Sequence, residues 1–329
     1  MANEPPLQQT INSLLKETSE LEISKVEDQI ELPMIDLNCL KKGYKEREKC
    51  MREIVEAARK WGFFQVINHG ISKEVSESMK YEQMKVFQEP FTMKIGKNFL
   101  NLPANSYRWG NSEATCLKQC FWSEALHISV ADISRLDGHM TNLRSTMEAF
   151  ARRATTIAET IAKILAENIG IKPNYFKQNC TPNTSFLRLN RYPPCPNLSS
   201  KVCGLVAHTD SDFLTILYQD TVGGLQLHKD DKWVCVKPNP EALIINVGDL
   251  FQALSSNIYT SVKHRVVAPQ QVERFSVGYF YCPRNEAVIE SCRSRPAVYR
   301  RFSFGEFREQ VQRDLRATGA KVGLSRFLL

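Results

Sequence analysis

A histidine and an aspartate stand two residues apart in the run GLVAHTD, as His208 and Asp210. Side chains at positions i and i+2 of a β-strand point to the same face, so this spacing predicts that imidazole and carboxylate converge on one point. His264, in the run SVKHRVV, lies on a later predicted strand and supplies the third ligand of a facial triad. Two histidines and one carboxylate suit Fe(II) and leave three of its coordination positions open, although zinc accepts the same ligands.

A second set of functional side chains follows one predicted strand in the run RFSVGYF. Arg274, Ser276, Gly278 and Phe280 alternate along it and therefore share a face. A buried arginine needs an anion, and its planar fork binds a carboxylate through two hydrogen bonds. We therefore expect Arg274 and Ser276 to hold one carboxylate of a dicarboxylate, with Phe280 as an apolar wall. The alternative is that an Asp or Glu of the protein neutralises the arginine.

A third pair, Asn190 and Tyr192 in NRYPPCP, also has the spacing of residues that share a strand face. Tyr192 can donate its hydroxyl to an anionic ligand, or it can be a core tyrosine with a local partner. The remaining histidines are interpreted as structural: His69, His127, His139 and His228.

The elements that must position these residues change in type along the chain. Residues 1–30 are polar and acidic and are interpreted as a mobile or loosely docked arm, with a short helix near Leu14–Leu21. Residues 31–182 are predicted to be a helical region, whose longest amphipathic stripe runs from Leu143 to Asn168. In residues 183–329, short β-rich runs alternate with turn residues and a helix follows. This texture is typical of a β-sandwich or jelly roll.

Composition argues against several other classes of protein. The 329 residues carry a net charge of +7, but the sequence contains neither a basic stripe nor a nucleic-acid-binding motif. No apolar run is long enough to span a membrane, and the polar start of the sequence does not resemble a signal peptide. The ten cysteines include no CxxC pair, so a zinc ribbon is not expected. We expect a soluble protein with free thiols in the cytoplasm, with the nucleus as an additional location.

In this order, N-x-Y-P-P-C, H-T-D, G-G-L-Q, N-V-G-D, H-R-V and R-x-S resemble the motifs of the plant 2-oxoglutarate- and iron(II)-dependent dioxygenases. The run from Trp61 to Gly70 resembles the helical N-terminal region of that family, so the resemblance extends from about residue 30 to residue 329. It implies a mainly β fold with flanking helices, built on a distorted double-stranded β-helix or jelly roll. It also implies site residues: iron(II) held by His208, Asp210 and His264, and 2-oxoglutarate held by Arg274 and Ser276 with Tyr192 and Asn190 alongside.

The segments LPANSYRWG and FWSEALHI, and the tail GLSRFL, resemble gibberellin 2-oxidases that act on twenty-carbon gibberellins. This likeness implies 2β-hydroxylation of a gibberellin with dioxygen as co-substrate and ascorbate as supporting reductant. For a substrate of this kind, Tyr107, Arg108 and Trp109 are candidates for a lid, with Arg108 as a carboxylate partner; the alternative is that they form a packed loop. Leu126, Thr260 and residues 111–113 depart from the pattern of this group.

Three alternatives stay open at this point. One is an oxygenase of the same plant family that acts on a flavonoid, another hormone or a specialised metabolite, since its iron and co-substrate residues would be the same. Another is a jelly-roll protein that binds a small acid without turnover. The third is a zinc hydrolase, which would leave the Arg-x-Ser strand without a role. The preferred gibberellin and the oligomeric state are not readable from the sequence.

Overall fold

The computed structural model describes residues 4–15, 26, 28–111, 114, 116, 119–136, 140–172, 174–292 and 296–329. The α-helices within these ranges are α1 Leu7–Leu15, α2 Tyr44–Trp61, α3 Lys73–Gln88, α4 Phe91–Lys94, α5 Thr141–Asn168, α6 Tyr175–Asn179, α7 Asp249–Leu254 and α8 Phe304–Thr318. The strands are β1 Gln29–Ile30, β2 Met34–Asp36, β3 Phe63–Ile67, β4 Tyr107–Trp109, β5 Glu124–Ser129, β6 Phe186–Tyr192, β7 Cys203–His208, β8 Leu214–Gln219, β9 Leu225–Lys229, β10 Lys232–Val236, β11 Leu243–Val247, β12 His264–Val267, β13 Arg274–Tyr281, β14 Val288–Ile289 and β15 Phe302–Ser303.

Two sheets form the core. The large sheet has the strand order β2-β3-β11-β8-β13-β6-β5-β4, and the small sheet has the order β1-β10-β9-β12-β7. Apolar side chains of both sheets pack together, among them Phe63 and Ile244 from the large sheet and Leu227 and Val266 from the small one. Strands distant in sequence are neighbours in both sheets, and nearly all of the pairs are antiparallel. This is the distorted double-stranded β-helix that the sequence predicts.

The long helix α5 packs with α2 and α3 and against strands β8 and β13 of the large sheet. Its predicted stripe is buried throughout: Leu143, Met147, Phe150, Ala154, Ile157, Ile161 and Leu165. The helix ends just before Gly170, whose φ of +73° is the left-handed conformation expected after a helix. Ser72 caps α3 by accepting a hydrogen bond from the backbone N–H of Val75 at 3.4 Å, as its position before that helix predicts.

Residues 4–15, the main part of the N-terminal arm that the structure describes, pack against the rest of the protein. Leu7 and Ile11 of α1 are buried in an apolar cluster that contains Trp122 and Leu198, and Glu4 pairs with Arg191 at 2.8 Å. The polar and acidic composition of the arm did not reveal this contact, because only one face of a short helix makes it. The predicted short helix lies earlier, over Leu7–Leu15, and Leu21 is outside the described residues.

Residues 95–130, which show no clear pattern in the sequence, contain β4 and β5. These strands extend the large sheet beyond β6, so the segment that carries the predicted lid is part of the sheet. None of the helices in the described ranges combines the length and the apolar character needed to cross a lipid bilayer.

Candidate active site

The three predicted metal ligands meet at one end of the small sheet. His208 ends β7 and is the register partner of His264, the first residue of β12, and their ring centroids are 4.3 Å apart. Asp210 lies in the loop after β7, and one ligand atom from each of the three residues lies within 4.8 Å of the others. The predicted convergence is therefore present, although Asp210 reaches the point from a loop rather than by strand alternation.

Backbone carbonyls fix the orientation of both imidazoles. Nδ1 of His208 lies 2.8 Å from the carbonyl oxygen of Val206, and Nδ1 of His264 lies 3.1 Å from that of Val262. A carbonyl oxygen only accepts hydrogen bonds, so Nδ1 carries the proton in each neutral ring. Both Nε2 atoms then present their lone pairs toward Asp210 Oδ1, at 3.5 and 3.8 Å.

The carboxylate of Asp210 is held through its second oxygen. Oδ2 accepts hydrogen bonds from Thr215 Oγ1 at 2.6 Å and from Asn246 Nδ2 at 2.7 Å. Burial by itself would raise the pKa of Asp210, but His264, His208 and the bond from Thr215 outweigh it and hold this pKa below its usual range. Thr215 and Asn246 contact a candidate metal ligand directly, and the sequence reasoning did not identify them. Asn246 had a signal, since it opens the N-V-G-D motif.

Burial, and secondarily the nearby His208, lower the pKa of His264 to about 4. The ring is therefore neutral near pH 7, which is the form that binds a metal. Two imidazoles and one carboxylate fit iron(II), and zinc accepts the same donor set. Within the part of the chain that the structure describes, no other group of three or more His, Cys, Asp or Glu side chains is placed to hold a metal ion.

Arg274 is 1% exposed and lies on β13. It donates to the carbonyl oxygen of Gly223, to Gln219 Oε1 at 2.8 Å and to Ser276 Oγ at 3.3 Å, and its guanidinium lies over the ring of Tyr192. Among the described residues no carboxylate forms an ion pair with it. A buried cation with only neutral partners fits the carboxylate of an acidic ligand such as 2-oxoglutarate.

Strands β6 and β13 bring the other predicted co-substrate residues to the same face. Arg274 is the register partner of Tyr192, and Ser276 is the partner of Asn190. Asn190 Nδ2 lies 3.4 Å from Ser276 Oγ. Further along the same strands, Phe280 stacks on Phe186 with ring centroids 4.5 Å apart. The predicted apolar wall is therefore a pair of stacked rings.

The structure places the three residues of the predicted lid on two faces of β4. On β4, Tyr107 and Trp109 alternate with Arg108 and lie on the opposite face. The Tyr107 hydroxyl donates to Glu124 at 2.5 Å, and the Trp109 ring meets the edge of Phe91. These contacts tie Tyr107 to β5 and Trp109 to Phe91. Arg108 is exposed and donates to the carbonyl oxygen of Asn105. The role of all three residues in covering the substrate stays a prediction.

His127 borders the aromatic wall, which its sequence context did not reveal. Its ring stacks on that of Phe186, with the ring centroids 4.0 Å apart. His127, Phe186 and Phe280 all lie on strands of the large sheet. Burial, followed by the charges of Arg108, Arg188 and Arg308, lowers the pKa of His127 to about 3. Three arginines are therefore close enough to disfavour protonation of this imidazole, and Arg188 is its register partner on β6.

These arginines, Arg108, Arg188 and Arg308, form what we name the arginine cluster. Arg188 donates to Asn190 Oδ1 at 2.7 Å, and Arg308 donates to Asn285 Oδ1 at 3.3 Å. In the described ranges none of the three forms an ion pair with a carboxylate. Sequence reasoning missed Arg188 and Arg308. The signal available for Arg188 was its place two residues before Asn190 on a strand of the site.

Comparisons with known proteins agree with this geometry. Residues 183–283 match the family described as the 2OG-Fe(II) oxygenase superfamily. Residues 32–145 match the family described as the non-haem dioxygenase in morphine synthesis N-terminal region.

Curated relatives match nearly the whole chain. Gibberellin 2-beta-dioxygenase 8 of Arabidopsis thaliana is 52% identical, with 99% of this chain and 98% of the relative covered. Gibberellin 2-beta-dioxygenase 6 of Oryza sativa subsp. japonica is 47% identical, with 90% of this chain and 85% of the relative covered.

Solved structures show the same architecture. The crystal structure of JOX2 in complex with 2OG, Fe and JA has a TM-score of 0.73 at 29% identity and covers 93% of this chain and 94% of JOX2. The dioxygenase for auxin oxidation in rice has a TM-score of 0.72 at 26% identity and covers 91% of this chain and 100% of that structure. The jelly-roll core, the His-Asp-His geometry and the identity over the full length therefore lead to one conclusion: the chain belongs to the 2-oxoglutarate- and iron(II)-dependent oxygenases.

Proposed function

We propose that this oxygenase hydroxylates a gibberellin at its 2β position, with a twenty-carbon gibberellin as substrate. The observation that carries the proposal is the pairing of two sites on one sheet core: a His-Asp-His centre and a buried Arg274 without a carboxylate partner among the described residues. The gibberellin 2-beta-dioxygenases, which are similar over almost the full length, support the choice of substrate.

His208, Asp210 and His264 would hold the iron, and Arg274 with Ser276 would hold the distal carboxylate of 2-oxoglutarate. Bound iron(II), with 2-oxoglutarate and dioxygen, supplies the oxidising power for hydroxylating an unreactive C–H bond. The chain supplies position. Thr215 and Asn246 hold one carboxylate oxygen of Asp210 so that the other faces the two imidazoles, and the ring of Tyr192 packs under the guanidinium of Arg274.

The substrate would lie between the aromatic wall and the arginine cluster. A gibberellin is a compact apolar skeleton that carries carboxylates, and ligand sites of this kind are mostly apolar with a few placed polar groups. Phe280 and Phe186 offer the apolar surface. Arg188 and its neighbours in the cluster offer positive charge that the described carboxylates of the protein do not neutralise. Several unpaired guanidinium groups favour a substrate with more than one carboxylate.

The test is succinate release by the purified protein with Fe(II), 2-oxoglutarate and ascorbate. The panel contains a dicarboxylic twenty-carbon gibberellin, a nineteen-carbon gibberellin with a single carboxylate, jasmonate, a flavanone and no addition. Stimulation by the twenty-carbon gibberellin, and its loss in His208→Ala, is the expected result. Stimulation by jasmonate or the flavanone alone would keep the oxygenase chemistry and overturn the gibberellin assignment.

A further inference from the structure

The C-terminal tail, residues 319–329, reaches back to the loop that carries Asp210. Lys321 Nζ lies 2.6 Å from Asp249 Oδ2 and donates to the backbone carbonyl oxygen of Thr209 at 2.8 Å. Thr209 is the residue between the two predicted metal ligands of the H-T-D motif. One lysine, distant in sequence, therefore contacts the backbone of the metal-binding loop directly.

Asp249 connects this lysine to the loop through further hydrogen bonds. Its Oδ2 also accepts from Thr209 Oγ1 at 3.1 Å, and its backbone N–H donates to the carbonyl oxygen of Asp210 at 2.9 Å. The next residue, Leu250, donates its N–H to the carbonyl oxygen of Asp212 at 3.0 Å. The first turn of α7 and Lys321 therefore hold the loop from His208 to Asp212 along most of its length.

The contact is shielded from water. The side chain of Lys321 is 12% exposed and that of Asp249 is 4% exposed, and the ammonium lies near the ring of Phe307. Exposed ion pairs contribute little because water and salt screen them. Removal of one partner from a buried pair leaves an uncompensated charge, which is far more disruptive. The buried contact of Lys321 with Asp249 and Thr209 can therefore fix the geometry of the loop that carries Asp210.

We propose that Lys321 is a positioning residue of the metal centre, which holds the Thr209 backbone so that Asp210 meets the two imidazoles without rearrangement. Outer partners of this kind change metal affinity because they fix the direction of a ligand before the metal arrives. The inference rests on the proposed role of Asp210 as a ligand, and it does not depend on which acid the enzyme oxidises.

The experiment compares Lys321→Met, which keeps the aliphatic stem, with Lys321→Arg, which keeps the charge. The matched control is Arg326→Met: Arg326 belongs to the same tail but pairs with Asp314 of α8, at 2.9 Å, rather than with the loop. Co(II) alone is titrated into each metal-free full-length protein by calorimetry, well below its melting temperature. The melting temperature of each metal-free protein is measured in parallel.

We expect Lys321→Met to weaken Co(II) binding about tenfold or more, and Lys321→Arg to recover most of that loss. Arg326→Met should lower the melting temperature and leave Co(II) affinity unchanged. If Lys321→Met does not fold, Lys321→Gln replaces it with the same expectation. Unchanged Co(II) affinity in the lysine variant, or an equal loss in Arg326→Met, would overturn the positioning role. Absence of gibberellin turnover together with a selective Co(II) defect would overturn the proposed substrate and leave this inference standing.

Discussion

Replacement of Arg274 by methionine tests the co-substrate site most sharply. The side chain is 1% exposed and its described hydrogen-bond partners are all neutral, so its charge is available to a ligand carboxylate. A hydrogen bond to a charged group contributes about 1.5–3 kcal/mol, and two of them contribute roughly 3–6 kcal/mol. Since about 1.4 kcal/mol is a factor of ten, Arg274→Met should weaken 2-oxoglutarate binding by at least about a hundredfold.

Arg274→Lys should fall between the parent and the methionine variant, because an ammonium keeps the charge but not the planar fork. The matched control is Arg265→Met. Arg265 is also buried, but it lies on β12 next to His264, donates to Gln226 and packs over the ring of Trp233. The assay is the KM for 2-oxoglutarate in succinate release, with calorimetric binding of 2-oxoglutarate as the second readout. A KM in Arg274→Met close to that of the parent would refute the assignment.

Three further predictions follow from the site. Asn246→Ala removes one hydrogen bond to Asp210 and should weaken Co(II) binding about tenfold in a calorimetric titration, whereas unchanged affinity would show that this bond does not orient the ligand. Arg188→Met should raise the KM for the gibberellin more than the KM for 2-oxoglutarate, which the lost hydrogen bond to Asn190 also affects, and equal increases in both would place Arg188 in the co-substrate site instead. The folded pKa of His127, about 3, is below the ordinary histidine value of 6.5, so the stability that the neutral ring contributes is present above pH 6.5 and is lost as the pH falls toward 3. The melting temperature of His127→Gln should therefore fall less than that of the parent over this range, and parallel curves would contradict the depressed pKa.

The convergence of the three candidate metal ligands was predictable because the H-x-D spacing, the later strand with His264 and the order of the family motifs agree. His208 and Asp210 stand two residues apart and His264 opens another strand, and the structure brings the three together. The reasoning by strand alternation was right about convergence and wrong about its cause, since β7 ends at His208 and Asp210 follows in a loop. Asp210 is held inward by the first turn of α7 and by hydrogen bonds from Thr215 and Asn246, and these contacts join segments distant in sequence.

The substrate side was less predictable because it depends on register between strands far apart in sequence. Arg188 and His127 come together only because β6 pairs with β5 in a register that makes them partners. The segment of Tyr107 and Trp109 was expected to be a lid because it is aromatic and irregular in sequence. Its pairing with β5 directs both rings to the opposite face from Arg108.

The docking of the N-terminal arm was missed for a related reason. Helix α1 buries few apolar side chains, among them Leu7 and Ile11. The surface that they contact is formed by segments around Trp122 and Leu198. A short helix with so small an apolar face is marginal in isolation, because the stability of such helices comes from tertiary packing. Local pattern alone therefore could not distinguish a docked helix from a loose arm.

The most direct test of the central claim is the stoichiometry of product formation under isotope-labelled dioxygen. The purified enzyme is supplied with Fe(II), 2-oxoglutarate and a twenty-carbon gibberellin, and succinate and hydroxylated gibberellin are quantified by mass spectrometry. We predict equal amounts of the two products, labelled oxygen in the new 2β hydroxyl group, and loss of both products in His208→Ala. Succinate without hydroxylated gibberellin, or a product that His208→Ala still forms, would contradict the assignment.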